Sequence, residues 1–101
     1  MNELPPQSFI ELVRIRTDIV ILISESVAIE PRYGGRLYKC ACPFHDDNGQ
    51  SVVVSPSRQT YKCFGCGEGG DCFSFLMKIN NIEYSEALEA LARRAGLSNE
   101  M

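Results

Sequence analysis

Apolar positions along the chain change their spacing twice, and each change marks a new kind of element. Phe9, Ile10, Leu12 and Val13 recur at helical spacing behind a Ser8…Glu11 capping-box pattern. This predicts a short amphipathic helix running to about Ile15. Thr17 or Asp18 can cap a second short helix over residues 19–24, although the apolar run 19–23 fits a buried strand equally well on periodicity. Past Val27 the period falls to two. Val27 and Ile29 alternate with Ala28 and Glu30, a strand signal weakened by Pro31, and Gly34-Gly35 reads as a hairpin turn that returns along residues 36–40. A β-branched run over 51–55, the turn Pro56-Ser57-Arg58-Gln59, and residues 60–63 repeat the pattern. Helical spacing resumes after Asp71, with Phe73, Leu76 and Met77 on one face. Asn80-Asn81 interrupts it, and a last helix over 84–95 carries Ala87, Leu88, Leu91, Ala92 and Ala95 as its stripe before Gly96. Residues 1–7, with Pro5 and Pro6, read as a frayed start.

The predicted strands share one feature: their ends deliver paired ligands. Cys42-Pro43-Phe44-His45 and Cys63-Phe64-Gly65-Cys66 each place two ligand residues two apart, and seventeen residues separate the pairs. A tight turn at that spacing sets both side chains of a pair on one ion. Three thiolates and one imidazole suit Zn2+, and four protein ligands close a tetrahedral site, so the expected metal is a single structural zinc. Each pair carries a turn-forming Pro or Gly, and the chain's one histidine sits in one of them. Cys40 and Cys72 fall outside the pattern and read as small strand and helix side chains. Cys63-x-x-Cys66 alone would be a redox motif, but no βαβ context accompanies it. Gly65, Gly67, Gly69 and Gly70 match neither a P-loop nor a dinucleotide fingerprint. They read as backbone freedom around the second metal turn.

Length changes the weight of the metal. A chain of 101 residues is expected to form one domain with a modest core, to which a metal staple contributes materially. No signal peptide and no long apolar run are apparent, so cysteines used for metal in a reducing cytoplasm are expected. The formal net charge of −3 argues against strong non-specific nucleic-acid binding. Between Pro31 and Gly65, however, Arg32, Arg36, Lys39, Arg58 and Lys62 face only Asp46 and Asp47, a local excess of +3, and Tyr33, Tyr38 and Tyr61 are interleaved with these bases. Acidic residues collect in the flanks, where Glu83, Glu86 and Glu89 would suit docking onto another domain. Asp46-Asp47 is a solvated turn rather than a metal-holding catalytic pair, because no partner acid or phosphate loop accompanies it.

The strings 38–45 (Tyr-Lys-Cys-Ala-Cys-Pro-Phe-His), Val54-Ser55-Pro56 and 61–71 (Tyr-Lys-Cys-Phe-Gly-Cys-Gly-Glu-Gly-Gly-Asp) resemble the N-terminal zinc-binding domain, a CHC2-type zinc finger, of bacterial DnaG-type DNA primases. The flanks 18–20, 75–76 and 86–92 fit too, and the resemblance spans residues from about 8 to 97. It implies an α+β fold, a zinc ribbon in which a small antiparallel sheet has short helices packed at the N- and C-terminal flanks. It assigns Cys42, His45, Cys63 and Cys66 as ligands. It implies a module of about 8–97 in a single zinc-binding domain, 1–101, that helps recognise single-stranded DNA template. RNA primer synthesis would belong to a separate polymerase domain, a nucleotidyltransferase absent from these residues. That polymerase domain and a replicative helicase are implied partners, in a cytoplasmic bacterial or phage-type replication setting with no membrane. Candidate DNA contacts are Arg36, Tyr38, Arg58, Tyr61 and Lys62, with tyrosines for stacking and cations for phosphates. The family pattern after His45 is a basic residue followed by Thr-Pro-Ser-Phe; here the Lys expected at Asn48 and the aromatic expected at Val52 are absent. The alternative is a free-standing zinc-ribbon interaction or regulatory protein derived from a primase, of the kind a mobile element carries.

Overall fold

A computed structural model of the chain describes residues 6–45 and 49–97. Residues 1–5, with Pro5 of the expected frayed start, and Asp46, Asp47 and Asn48 lie outside the described residues. Two short helices open the chain, α1 (Gln7–Ile15) and α2 (Ile19–Ser24). A five-stranded antiparallel meander follows: β1 (Ile29–Arg32), β2 (Leu37–Cys40), β3 (Val52–Ser55), β4 (Thr60–Cys63) and β5 (Gly69–Gly70), paired in that order. Helices α3 (Cys72–Asn80) and α4 (Tyr84–Arg94) complete it. The expected α+β ribbon with flanking helices is therefore the observed architecture.

The ambiguous apolar run of 19–23 is helical because Asp18 accepts a hydrogen bond from Val20 N, while Gln59 on the β3–β4 turn accepts one from Ile19 N at 2.8 Å. Ile19, Leu22 and Ile23 are buried, and Ile21 faces out. The expected Ser8…Glu11 capping box does not form. The helix starts earlier, with the Pro6 carbonyl accepting from Phe9 N and Ile10 N, which leaves Ser8 inside the first turn. The box appears instead at α4, where Glu83 and Glu86 cap each other's backbone, while Glu89 lies beside Arg93. Much of the supposed acidic docking face is thus engaged within its own helix. Pro31 is tolerated because β1 is an edge strand. The glycines at 69–70 form a fifth strand, which spacing did not reveal. A Cβ on Gly70, whose φ is +148°, would stand 2.5 Å from Ser74 Oγ, so only glycine lets α3 start this close to the strand.

Strand register sorts the sheet into two faces. Ile29, Cys40, Val52 and Cys63 form one cross-strand row, and Pro31, Tyr38, Val54, Tyr61 and Gly70 the next on the same side. Cys40, Val52, Val54, Tyr61 and Cys63 are buried there in one core with Ile10, Val13, Phe73, Phe75, Leu88 and Leu91 of the helices. The opposite face carries Glu30, Lys39, Val53, Lys62 and Gly69 in a row and has no helix over it. Val52, where the family pattern has an aromatic, is 2 % exposed on the covered face, so that departure alters the core rather than the open surface.

Asp71 ties the sheet end to α1. Its carboxylate accepts from Ser74 N at 3.0 Å and Ser74 Oγ at 3.2 Å, and it pairs with Arg14, whose guanidinium lies over the Phe73 ring. Asp71→Ala removes the helix cap and leaves half-buried Arg14 with only the longer, 3.5 Å pairing to Glu11. We expect a loss of about 1–3 kcal/mol in urea unfolding of the metal-loaded chain. Asp71→Asn keeps the cap and loses about 1 kcal/mol or less.

Candidate metal centre

The meander places its connections at alternate ends, so the β2–β3 and β4–β5 connections meet at one end of the sheet. Cys42 and His45 come from the first of these, Cys63 from the last residue of β4, and Cys66 from the turn beyond it. Their ligand atoms all lie within 4.8 Å of one another. Each pair forms the same kind of turn: Phe44 N donates to Cys42 Sγ at 3.4 Å, and Gly65 N and Cys66 N donate to Cys63 Sγ at 3.4 and 3.5 Å. Backbone donors aimed at sulfur favour the thiolate that a metal requires.

Separations within the cluster fit a tetrahedral zinc. Two sulfurs about 2.3 Å from such an ion stand about 3.8 Å apart, and Cys42 Sγ and Cys66 Sγ are 3.8 Å apart. His45 approaches with Nε2, which is 3.3 Å from Cys63 Sγ, so Nε2 is the ligand atom. Cys42 and Cys63 are buried, His45 is half-buried and Cys66 is exposed, which leaves one side of the centre toward solvent.

The thiols are electrostatically unequal before a metal arrives. Burial pushes the Cys42 thiol up to about 12. Burial also acts to raise Cys63, but the Cys66 and Gly65 amides and the His45 ring outweigh it and bring it down to about 6. One of this pair thus holds a proton while the other carries the charge. A ligand proton competes with the metal, so affinity rises with pH. Cys42 must release its proton on binding throughout the neutral range, whereas Cys63 is already ionised above pH 6. Zinc titrations at pH 6 and pH 8 in buffers of different ionisation enthalpy should show proton release at both, with tighter binding at pH 8.

Gly65 sets how closely the imidazole approaches. A Cβ there would lie 2.9 Å from His45 Nε2 and 3.1 Å from Cε1. Gly65→Ala should displace the ligand nitrogen and weaken zinc about 10- to 100-fold in competition with a chromophoric chelator, with the helices intact.

The remaining sequence candidates divide by face. Cys40 and Cys72 are core residues outside the ligand cluster, as expected, and burial raises Cys72 to about 11. Of the candidate DNA contacts, Tyr61 is 4 % exposed on the covered face and packs edge-on against Phe75 with centroids 5.5 Å apart. Tyr38 shares that face and is half-buried against the core. Lys62 stands on the open face, as does Lys39, which no motif in the sequence singles out but whose parity along β2, opposite to Cys40, marks it as outward. Arg36 and Arg58 sit in the turns at the end of the sheet remote from the metal. None of Arg36, Lys39, Arg58 and Lys62 makes an ion pair with a described residue.

An antiparallel meander clipped at one end by three cysteines and a histidine defines a zinc ribbon. The model of the CHC2 zinc finger matches residues 5–101, and the chain belongs to that family. Curated relatives include the DNA primases of Pseudomonas aeruginosa, 43% identical over 96% of this chain, and Halalkalibacterium halodurans, 45% identical over 96%. The chain spans only 14% and 16% of those relatives' lengths. A solved structure of the Aquifex aeolicus primase, covering its zinc-binding and RNA polymerase domains, superposes with a TM-score of 0.83 at 43% identity, over 91% of this chain and 22% of that one. Cys42, His45, Cys63 and Cys66 are therefore the residues positioned to hold the zinc of this domain. The ion would supply a fixed cross-link between the two turns and no reactive coordination position.

Proposed function

We propose that this chain is the template-binding module of a primase: it holds single-stranded DNA on the open face of its sheet and helps a polymerase domain outside these residues begin an RNA primer. The observation that carries this reading is the helix-free face on which Lys39 and Lys62 flank Val53 without ion pairs to any described residue. Arg36 and Arg58 extend the cationic surface toward the far turns. Cations on a flat face meet phosphates, and binding of that kind weakens with salt. Kinship with primases supports the polymerase domain as partner, and the resemblance adds a replicative helicase and a cytoplasmic replication setting. No helix of the described residues is long and apolar enough to cross a membrane.

Anisotropy of labelled single-stranded DNA, titrated with the zinc-loaded chain across salt and across template sequences, tests the reading. Binding should weaken with salt. A Lys39→Ala/Lys62→Ala double variant should reduce the salt slope by about 0.7 per lost phosphate contact. Absence of binding at low salt would favour the alternative of an interaction or regulatory ribbon.

A further inference from the structure

Phe64 is 73 % exposed, beside a core that takes in every other phenylalanine of the described residues at least in part. Exposing so large an apolar ring costs stability, and the metal turn does not require it, since Cys63 Sγ is met by the Gly65 and Cys66 backbone amides and the His45 ring and not by the Phe64 side chain. The backbone carrying the ring is held on both sides: Phe64 N donates to Ser51 O at 2.9 Å, and Cys63 N donates to Glu68 O at 2.7 Å. An aromatic on a clamped backbone loses little further freedom when something lies on it.

Its position follows from the register. Continuing the β3–β4 pairing one step past Val52↔Cys63 sets Phe64 opposite Ser51, and continuing β2–β3 past Cys40↔Val52 sets Ser51 opposite Ala41. Alternation puts Phe64 on the side of Thr60 and Lys62, and its two row neighbours are too small to cover it. Lys39, Val53 and Lys62 form the adjacent row, roughly 7 Å along the strands. Phe64, in the turn that leaves β4, thus stands one pleat beyond Lys62 toward the metal end of the sheet.

We propose that Phe64 is a base-stacking platform, on which one unpaired base lies while its flanking phosphates meet Lys39 and Lys62. The inference rests on the open face being the DNA surface; of the exposed aromatics among the described residues, Tyr33 lies in the β1–β2 turn at the far end of the sheet and Phe64 at the metal end, while Tyr38 and Tyr61 are turned inward. A ring at this point also places the stacked base beside the metal turn, so that sequence preference is set at the metal end of the sheet.

The test uses the zinc-loaded chain, a single-stranded oligonucleotide carrying 2-aminopurine at each position in turn, and the variants Phe64→Leu, Phe64→Ala and Phe64→Trp. Zinc content and circular dichroism should match wild type in all three, because the side chain is exposed. Wild type should quench 2-aminopurine at one position. Phe64→Leu and Phe64→Ala should abolish that quenching and weaken binding about 5- to 100-fold, while Phe64→Trp restores both. Salt-dependent wild-type binding that falls in the Lys39→Ala/Lys62→Ala variant yet is unchanged in Phe64→Leu would overturn the platform and leave the DNA surface standing. Absence of wild-type binding would overturn both.

Discussion

Cys63→Ser should leave the chain without its ribbon, and chelation of the metal should do the same to the unaltered protein. Cys63 is fully buried, receives two backbone N–H groups, stands against the His45 ring and ends the strand that pairs with β3 and β5. No other ligand joins so many elements. Structural zinc contributes about 10–16 kcal/mol of apparent binding free energy in small metal-dependent folds, whereas domains of this size have about 5–15 kcal/mol of total stability. Loss of the ion is therefore enough to abolish folding of the sheet. Far-UV circular dichroism and urea unfolding of the variant should show no cooperative transition from a β-containing state. Helical signal from α3 and α4 should persist only in part, since their apolar faces pack onto the sheet. Cys66→Ser, at the exposed ligand, should weaken zinc and retain a cooperative fold when zinc is in excess.

Phe75→Ala should carry the second largest effect, and it should appear at the metal although Phe75 is not a ligand. The ring is buried in α3 and meets Phe44 at 5.6 Å and Tyr61 at 5.5 Å between centroids. Phe44 lies between the two ligands of the first metal turn, so α3 props that turn through a chain of aromatic contacts. Truncating a buried phenylalanine costs about 3–5 kcal/mol. In a domain this small that is a large fraction of the whole. Urea unfolding should show this loss with zinc bound, and the metal-free variant should be unfolded where metal-free wild type retains residual structure. Zinc affinity should fall in parallel, because folding and binding draw on the same free energy. Phe75→Leu, which nearly keeps the volume, should cost under about 1.5 kcal/mol and change zinc affinity little.

Ligand identity was legible because metal chemistry imposes short fixed spacings, and Cys42, His45, Cys63 and Cys66 obey them. Caps at Asp18 and Asp71 were legible for the same local reason: an acceptor immediately before an apolar run has few other roles. Gln59, which reaches forty residues back to Ile19 N, has no local signature. The Ser8…Glu11 pattern misled because Pro6 starts the helix before Ser8 can cap it. Gly69-Gly70 carried no strand propensity and pairs only because Tyr61 and Lys62 present an open edge. Facing was the largest omission. Tyr38 and Tyr61 looked like a stacking surface on composition, yet each is two residues from a buried cysteine, Cys40 and Cys63, and so turns inward with it. Parity counted from Cys63 puts Lys62 and Phe64 outward, a pattern present in the sequence itself.

One zinc held by three sulfurs and one imidazole nitrogen is the claim on which the fold and the proposed surface both depend. X-ray absorption of the zinc-loaded chain tests it directly. A four-coordinate shell is expected, with three sulfurs at about 2.3 Å and one nitrogen at about 2.0–2.1 Å. A shell of four sulfurs, with Cys40 or Cys72 drawn in place of His45, or a shell dominated by oxygen and nitrogen, would contradict it.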